Sequence, residues 1–350
     1  MQIGTRTISY ESGPYVIAEL GVNHDGSVDR AISLVDAAAG AGADAVKLQL
    51  FRAELLTSAS SGLAAYQRDA GEEDPVRMLS RLELSLSDMA RVAEHARRRR
   101  LHAIVTPFTT ELVGEADAIG WDAYKVASPD IIHRPLLERL ALTGRPLILS
   151  TGAAQPAEIV RAAGWLAGVS ERVAFLQCVS SYPTPPECAS LAGIGALLAM
   201  GLHRVGYSDH TTGVHTGALA VAAGACVLEK HLTYDTGARG PDHSASLDPA
   251  RFGQYVEKAR SAFAMMGPAA KRVLPIESDV RTLSRQSVVA ARDLAVGALV
   301  SAQDLTVRRP GTGFPPFVLR DLVGRRVLRA VAAGTPLTPE HVDVDDGRKG

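Results

Sequence analysis

The 350-residue sequence predicts an α/β protein: a (β/α)8 barrel followed by a small C-terminal β-rich domain. Three observations carry the prediction. Short apolar runs alternate with amphipathic helical segments, the pattern of βα units around a parallel sheet. Eight such runs fall within about 250 residues, the size and repeat number of a closed parallel barrel. No Gly-rich dinucleotide fingerprint accompanies them, which disfavours a doubly wound open sheet.

Residues 1–12 precede the first run and suit a hairpin covering the barrel floor. Strands are expected at 15–19, 45–50, 102–106, 123–126, 147–150, 173–177, 204–208 and 225–230. Between them, residues 28–41, 86–98, 157–167 and 213–223 have helical periodicity, as does 249–265 after the last strand. The barrel domain therefore spans 1–266. Residues 267–283, with Pro, Lys, Arg, Ser and weak periodicity, read as a linker. Short strands and tight turns then define a second domain over 284–345, marginal alone at that size. Its halves echo each other, DLAVGALVSAQDL against AVAAGTPLTPEHV. Residues 346–350 read as a disordered tail. The arginines at 97–100 end a helix, where cations suit the carbonyl dipole, and read as a solvated face.

Composition narrows the class. Hydrophobic content of 46% with 21% charged residues is that of a soluble globular chain with a large core. A net charge of −1 offers no basic field for nucleic acid or membrane. Cys178, Cys188 and Cys226 have no metal or framework spacing and read as reduced thiols of a cytoplasmic protein. The N-terminal segment lacks a signal-peptide core, and no stretch holds 18 uninterrupted apolar residues.

The chemistry is legible at the strand ends. His210 and His231 close the segments GYSDHT and VLEKHLT, so imidazoles from consecutive βα units face the end where such barrels work. Taken singly, His210 reads as a helix cap and His231 as a core histidine; as a pair they suit a divalent metal with positions left open for substrate. Parallel strands are covered on both faces and should be apolar throughout. Lys47 in AVKLQL and Lys125 in AYKVAS are therefore expensive unless an anion awaits them. Alone, each would snorkel or pair with a carboxylate. Thr106, Ser128, Ser150, Ser180 and Ser208 lie at neighbouring strand ends, so lysines, hydroxyls and helix N-termini converge on one phosphate and carboxylate site. Glu19 ends the first strand and supplies acid–base capacity, with Gln49 on the second strand and His24 in the adjoining turn. Asp130 and Asp242, taken alone, read as helix caps or turn residues. Without thiolates or a full ligand set, the site suits Mn2+, Mg2+ or Co2+ better than structural zinc.

IAELGVNHDGS, AVKLQLF, VTPF, YKVASPDI, LILSTGA, CVSSYPTPPE, GYSDHTTG, LEKHLTYD and GPDHSASLDP occur in this order. Together they resemble the N-acetylneuraminate (sialic acid) synthase family, over almost the whole chain. The later RRPGTG looks like that family's SAF, or antifreeze-like, domain. The resemblance implies metal-dependent condensation of phosphoenolpyruvate with an N-acetylated hexose aldehyde, yielding a nine-carbon 2-keto sugar acid and phosphate. It makes His210 and His231 the metal pair and Glu19 the catalytic carboxylate. Lys47, Thr106, Lys125, Ser128, Ser150, Ser180 and Ser208 become the phosphoenolpyruvate-binding set. Gln49, Asp130, Tyr182 and Asp242 match sugar-binding positions. Arg309 matches the SAF-domain arginine that reaches the sugar across a domain-swapped homodimer.

Two departures from the family pattern bear on the sugar: Ser180 stands where Asn is frequent, and Asp130 where Glu is common. N-acetylmannosamine is the expected substrate, with a diacetamido-trideoxyhexose of pseudaminic, legionaminic or spore-coat pathways as the alternative. Two other classes compete: a Schiff-base pyruvate aldolase using Lys125 or Lys47, and a non-catalytic binding protein. A scaffold needs none of Glu19, the two histidines or the two lysines.

Overall fold

The computed structural model describes residues 1–58 and 61–343; the tail at 346–350 lies outside the described residues. Two compact units emerge, Met1–Gly267 and the chain from Pro268 onward.

The first unit opens with a hairpin of β1 (Gln2–Ile3) and β2 (Arg6–Thr7). Eight parallel strands then close into a barrel. They are β3 (Tyr15–Gly21), β4 (Ala45–Leu50), β5 (His102–Pro107), β6 (Ala123–Val126), β7 (Leu147–Ser150), β8 (Val173–Cys178), β9 (Val205–Asp209) and β10 (Val227–His231). β10 returns to pair with β3, with His231 beside Glu19 and Glu19 beside Lys47. The last two strands run one residue beyond the expected ends, which brings His231 into the ladder.

Strand alternation sorts the side chains by chemistry. On β3, Val16, Ala18 and Leu20 face the helices, while Tyr15 and Ile17 face the barrel interior. The next inward position is Glu19. The same period places Ala45 and then Lys47 and Gln49 inward on β4, and Ala123 and then Lys125 on β6. Inward apolar side chains of the lower barrel, including Ile104, Ile148, Ala174, Leu176 and Val227, fill the floor together with Met1, Ile3 and Ile8 of the hairpin. Polar inward positions therefore stack above a dry plug, at the carboxyl ends of the strands.

Helices α1 (Val28–Gly40), α5 (Leu86–Arg98), α6 (Leu112–Ile119), α7 (Arg134–Leu142), α8 (Pro156–Trp165), α9 (Ala192–Ala199), α10 (Thr216–Ala222) and α11 (Pro249–Met266) pack around the strands. Ser27, Ser85 and Asp248 cap α1, α5 and α11 through their side-chain oxygens. Between β4 and α5 the chain adds α2 (Ala53–Leu56), α3 (Ala65–Asp69) and α4 (Pro75–Leu82). These short helices fall outside the helical segments expected from the sequence. Met78 and Leu82 of α4 nevertheless join Val22 and Phe51 in a separate apolar cluster at the mouth.

In the second unit, a 3-10 turn at Pro275–Glu277 and α12 (Ser278–Ser284) occupy most of the stretch read as a linker. β11 (Ser287–Ala290) and β12 (Leu305–Arg308) then pair antiparallel. The internal echo has a structural counterpart. Leu294 of the first half bridges Val331 of the second, and Gly297 and Gly334 stand three residues after each. Both glycines adopt left-handed φ values, 84° and 83°, which allow the tight turn that residues with a Cβ rarely make. Val288, Leu294, Val300, Val327, Val331 and Leu337 form the core between the halves.

Candidate active site

A cavity of ≈ 410 Å³ opens at the carboxyl end of the barrel. It gathers most of the residues singled out in the sequence. Glu19, Lys47, Gln49, Thr106 and Lys125 line it, as do Ser128, Ser150, Ser180, Ser208 and Tyr182. His210, His231 and Asp242 complete the polar wall. Asp130 is not among the lining residues, and Arg309 is exposed at the end of β12 in the second unit. His24 turns into its own loop, where its Nδ1 accepts a hydrogen bond from the Gly26 amide at 3.1 Å.

The lysines are held from several sides. Lys47 Nζ lies 2.7 Å from Glu19 Oε2 and donates to Thr106 Oγ1 at 3.1 Å. Lys125 Nζ donates to Ser150 Oγ at 2.6 Å and to the Val126 carbonyl at 2.9 Å. Between them stands Glu229, which sequence reasoning missed. Its carboxylate is 3.7 Å from Lys125 and 4.0 Å from Lys47, and it accepts from Ser208 Oγ at 3.0 Å. The signal that flags the lysines, a charge within a buried parallel strand, applies equally to this glutamate in VLEKH. Burial works against the charged form of every one of these groups. For Glu229 the two lysines overcome burial and lower its carboxyl; for Lys47, Glu19 and Glu229 overcome burial and raise its ammonium. For Lys125 burial wins and lowers the ammonium, and for Glu19 it raises the carboxyl despite Lys47. The cavity is thus balanced internally, with two ammonium groups facing two carboxylates.

The histidines lie beside this cluster. Their ring centroids are 5.5 Å apart, and the Tyr182 ring is 4.0 Å from that of His210. His210 Nδ1 is 2.7 Å from the Val179 carbonyl and so carries the proton it donates there, leaving Nε2 as a lone-pair donor. Burial lowers His210 to about 4 and His231 well below its ordinary value, so both rings are neutral at physiological pH. His231 Nδ1 is buried without a hydrogen-bond partner among the described residues, with Asp242 Oδ2 3.6 Å away. Burial, aided by Glu19, raises Asp242 to about 7. Among the described residues no three His, Cys, Asp or Glu side chains form a ready-made metal cluster. Two neutral imidazoles, one with an orphaned nitrogen, fit instead a cation that takes its remaining ligands from water and substrate.

Asp130 and Asp242 do not behave as caps. His133, not Asp130, caps α7, and the Asp242 side chain makes no cap bond to the 3-10 turn it precedes. Four close approaches shape the anion side. Gly152 donates its amide to Ser128 Oγ at 3.0 Å, and a Cβ there would fall 2.2 Å from Ser180 Oγ. Cys178 Sγ lies 3.6 Å from Ser128 Oγ and 3.8 Å from His210 Nδ1. All three cysteines are free, and no helix among the described residues is long and apolar enough to cross a membrane.

Comparison with known proteins accords with this geometry. Residues 34–271 match the NeuB family and residues 285–343 match the SAF domain. The chain is 36% identical over 336 residues to an N,N'-diacetyllegionaminic acid synthase of Legionella pneumophila, covering 94% of each chain. It is 30% identical over 353 residues to the human N-acetylneuraminate-9-phosphate synthase, covering 96% of this chain and 94% of that protein. The crystal structure of an N-acetylneuraminic acid (sialic acid) synthetase from Leptospira borgpetersenii, in complex with citrate, superposes with a TM-score of 0.74 at 28% identity, covering 80% of this chain and 94% of that one. A barrel of this topology, a cavity of this composition and matches of this extent lead to one statement: the chain belongs to the NeuB family and carries a SAF domain after its barrel.

Proposed function

We propose that the protein is a metal-dependent transferase that condenses phosphoenolpyruvate with an N-acylated hexose aldehyde, giving a nonulosonic acid and phosphate. One observation carries the reading: two ammonium groups, two neutral imidazoles and a buried carboxylate converge on a single cavity. In it, Lys125 with Ser150 and Ser128, and Lys47 with Thr106, hold the phosphate and carboxylate of the enol, while Ser180 and Ser208 complete that set. A divalent cation held by His210 and His231, with Mn2+ the first choice, would supply Lewis acidity to the aldehyde oxygen. The enol C3 forms the new bond to the aldehyde carbon, water adds at C2, and the C–O bond to phosphate breaks. Glu19, with its raised carboxyl, takes a proton from that water and returns it to an oxygen of the product. Gln49, Tyr182 and Asp242 hold the sugar, while Asp130 stands outside the lining of the cavity.

For the sugar we favour a diacetamido-trideoxyhexose over N-acetylmannosamine. Beside the polar groups, Val22, Met78, Leu79, Leu82 and Phe108 also line the cavity. A deoxy methyl or an acyl methyl gains about 0.8 kcal/mol on such a surface, whereas a hydroxyl would lose a partner. The match to the Legionella synthase supports the same choice, and the Leptospira structure supports N-acetylmannosamine as the second reading. The SAF domain at 284–345 is proposed to serve the barrel of a second copy, with Arg309 reaching its sugar.

Phosphate release over a panel of both sugar types, with product mass, tests the proposal. Release is expected with phosphoenolpyruvate, and is expected to be lost with chelator, with Lys125→Met and with His231→Ala. Borohydride trapping of pyruvate at an unchanged rate in chelator would replace it with a Schiff-base aldolase.

A further inference from the structure

Behind the two histidines, on the outer face of the barrel, lies a second pair of charges. Asp209 directly precedes His210 and Lys230 directly precedes His231. Both are 0% exposed, and strand register sets them side by side. This face of a parallel strand packs on helices and is ordinarily apolar. Lys230 Nζ lies 3.3 Å from Asp209 Oδ2. Asp209 Oδ1 accepts from the Thr211 amide at 2.8 Å, and Lys230 donates to the Thr211 carbonyl. Thr211 follows His210, so the backbone leaving one histidine is gripped at both polar groups. One grip comes from the residue before that histidine, the other from the residue before its counterpart. The Tyr255 ring of α11 covers the ammonium at 5.7 Å. Gly217 of α10 leaves room for that ring, since a Cβ there would lie 2.4 Å from Tyr255 Cζ.

A buried ion pair is a poor stabiliser, because desolvation offsets most of its attraction and an apolar pair of the same size does as well or better. Its geometry points to another role. We infer that Asp209 and Lys230 are positioning residues that fix the separation and aim of the His210 and His231 imidazoles through the Thr211 backbone. Alternation couples the two faces of each strand, so an outward side chain that shifts turns its inward neighbour with it. The inference rests on the metal reading of the histidine pair given above, and deepens it.

Mn2+ titration followed by electron paramagnetic resonance, with melting temperature measured in parallel, tests it on the full chain. Wild type is expected to bind Mn2+ and His231→Ala to lose it; a wild type that binds none removes the metal reading and this inference with it. The double variant Asp209→Leu, Lys230→Met replaces the pair by apolar groups. A folded double variant with wild-type melting and a Kd for Mn2+ raised about tenfold or more supports the inference, that being the range for loss of a group that orients a metal ligand. A folded double variant with a Kd within about twofold of wild type overturns it while leaving the metal reading intact. If the double variant does not fold, Lys230→Arg decides. Its planar fork does not reproduce a point contact to both Asp209 and Thr211, so a folded Lys230→Arg with loosened Mn2+ supports the inference, and one with wild-type Kd overturns it.

Discussion

Replacing Asp130 by asparagine is expected to stabilise the protein at high pH. The carboxyl is half-buried on the barrel rim, and its Oδ2 is enclosed without a hydrogen-bond partner among the described residues. Burial raises it from the ordinary 3.8 to about 6, with His133 and Lys125 only partly offsetting the shift. Such a shift corresponds to about 3 kcal/mol at roughly 1.36 kcal/mol per unit. Water reaching a half-buried group screens this to about 1–2 kcal/mol. The folded state holds the proton more tightly than the unfolded state. The destabilisation is therefore absent below about pH 4, grows between about 4 and 6, and is complete above about 6. Asp130→Asn removes the charge at nearly constant shape. Its melting temperature is expected to exceed that of wild type by about 2–5 °C at pH 8, with the difference shrinking as pH falls toward 4. Scanning calorimetry across pH 5 to 8 measures it. A melting temperature at pH 8 equal to or below that of wild type, or a gain that ignores pH, refutes the reasoning.

Two further substitutions probe other parts of the molecule. Gly152→Ala puts a methyl 2.2 Å from Ser180 Oγ and 2.9 Å from Ser128 Oγ; KM for phosphoenolpyruvate is expected to rise about tenfold, equivalent to ~1.4 kcal/mol, with melting changed little, and an unchanged KM contradicts the placement of those hydroxyls. In the second unit, Asp304 accepts from the Ser301 amide and hydroxyl, each at 2.8 Å, and pairs with Arg292, which together hold its carboxyl down at about 2. Asp304→Ala is expected to cost about 1 kcal/mol in urea unfolding near neutral pH. Because the folded carboxyl is depressed, that contribution is present above about pH 4 and fades toward pH 2; equal stability of variant and wild type at pH 7 would count against it.

The barrel is legible because period-2 alternation and the helical segments between strands are both strong signals. The site is legible for a related reason: a charge inside a parallel strand is conspicuous, and Lys47, Lys125 and the two histidines stand out. Glu229 carries the same signal in VLEKH, but it adjoins Lys230, and only the alternation of the strand tells which of two neighbouring charges faces the cavity. Alternation separates them, sending Glu229 to the cavity and Lys230 to the helices. The apolar wall was invisible for the opposite reason. Helices α2, α3 and α4 lie in the long connection between β4 and α5, and their leucines and methionine look like ordinary core until the fold turns them toward the mouth. Asp130 sits in a proline-containing turn where caps are common, and nothing local distinguishes a carboxylate that caps from one that does not.

The mirrored halves of the small C-terminal unit have a consequence for how it can be cut. Leu294 meets Val331, Leu299 meets Arg326, and Val289 meets Pro336, so each half closes upon its twin as well as through its own pairing, β11 with β12 in the first and Val327 with Val342 in the second. A break in the stretch around Gly313 would leave each half its own short pairing but uncover the apolar residues the two share, such as Leu294 and Val331, and a single two-stranded piece is marginal in water. Joined end to end, the two behave as a single indivisible clasp.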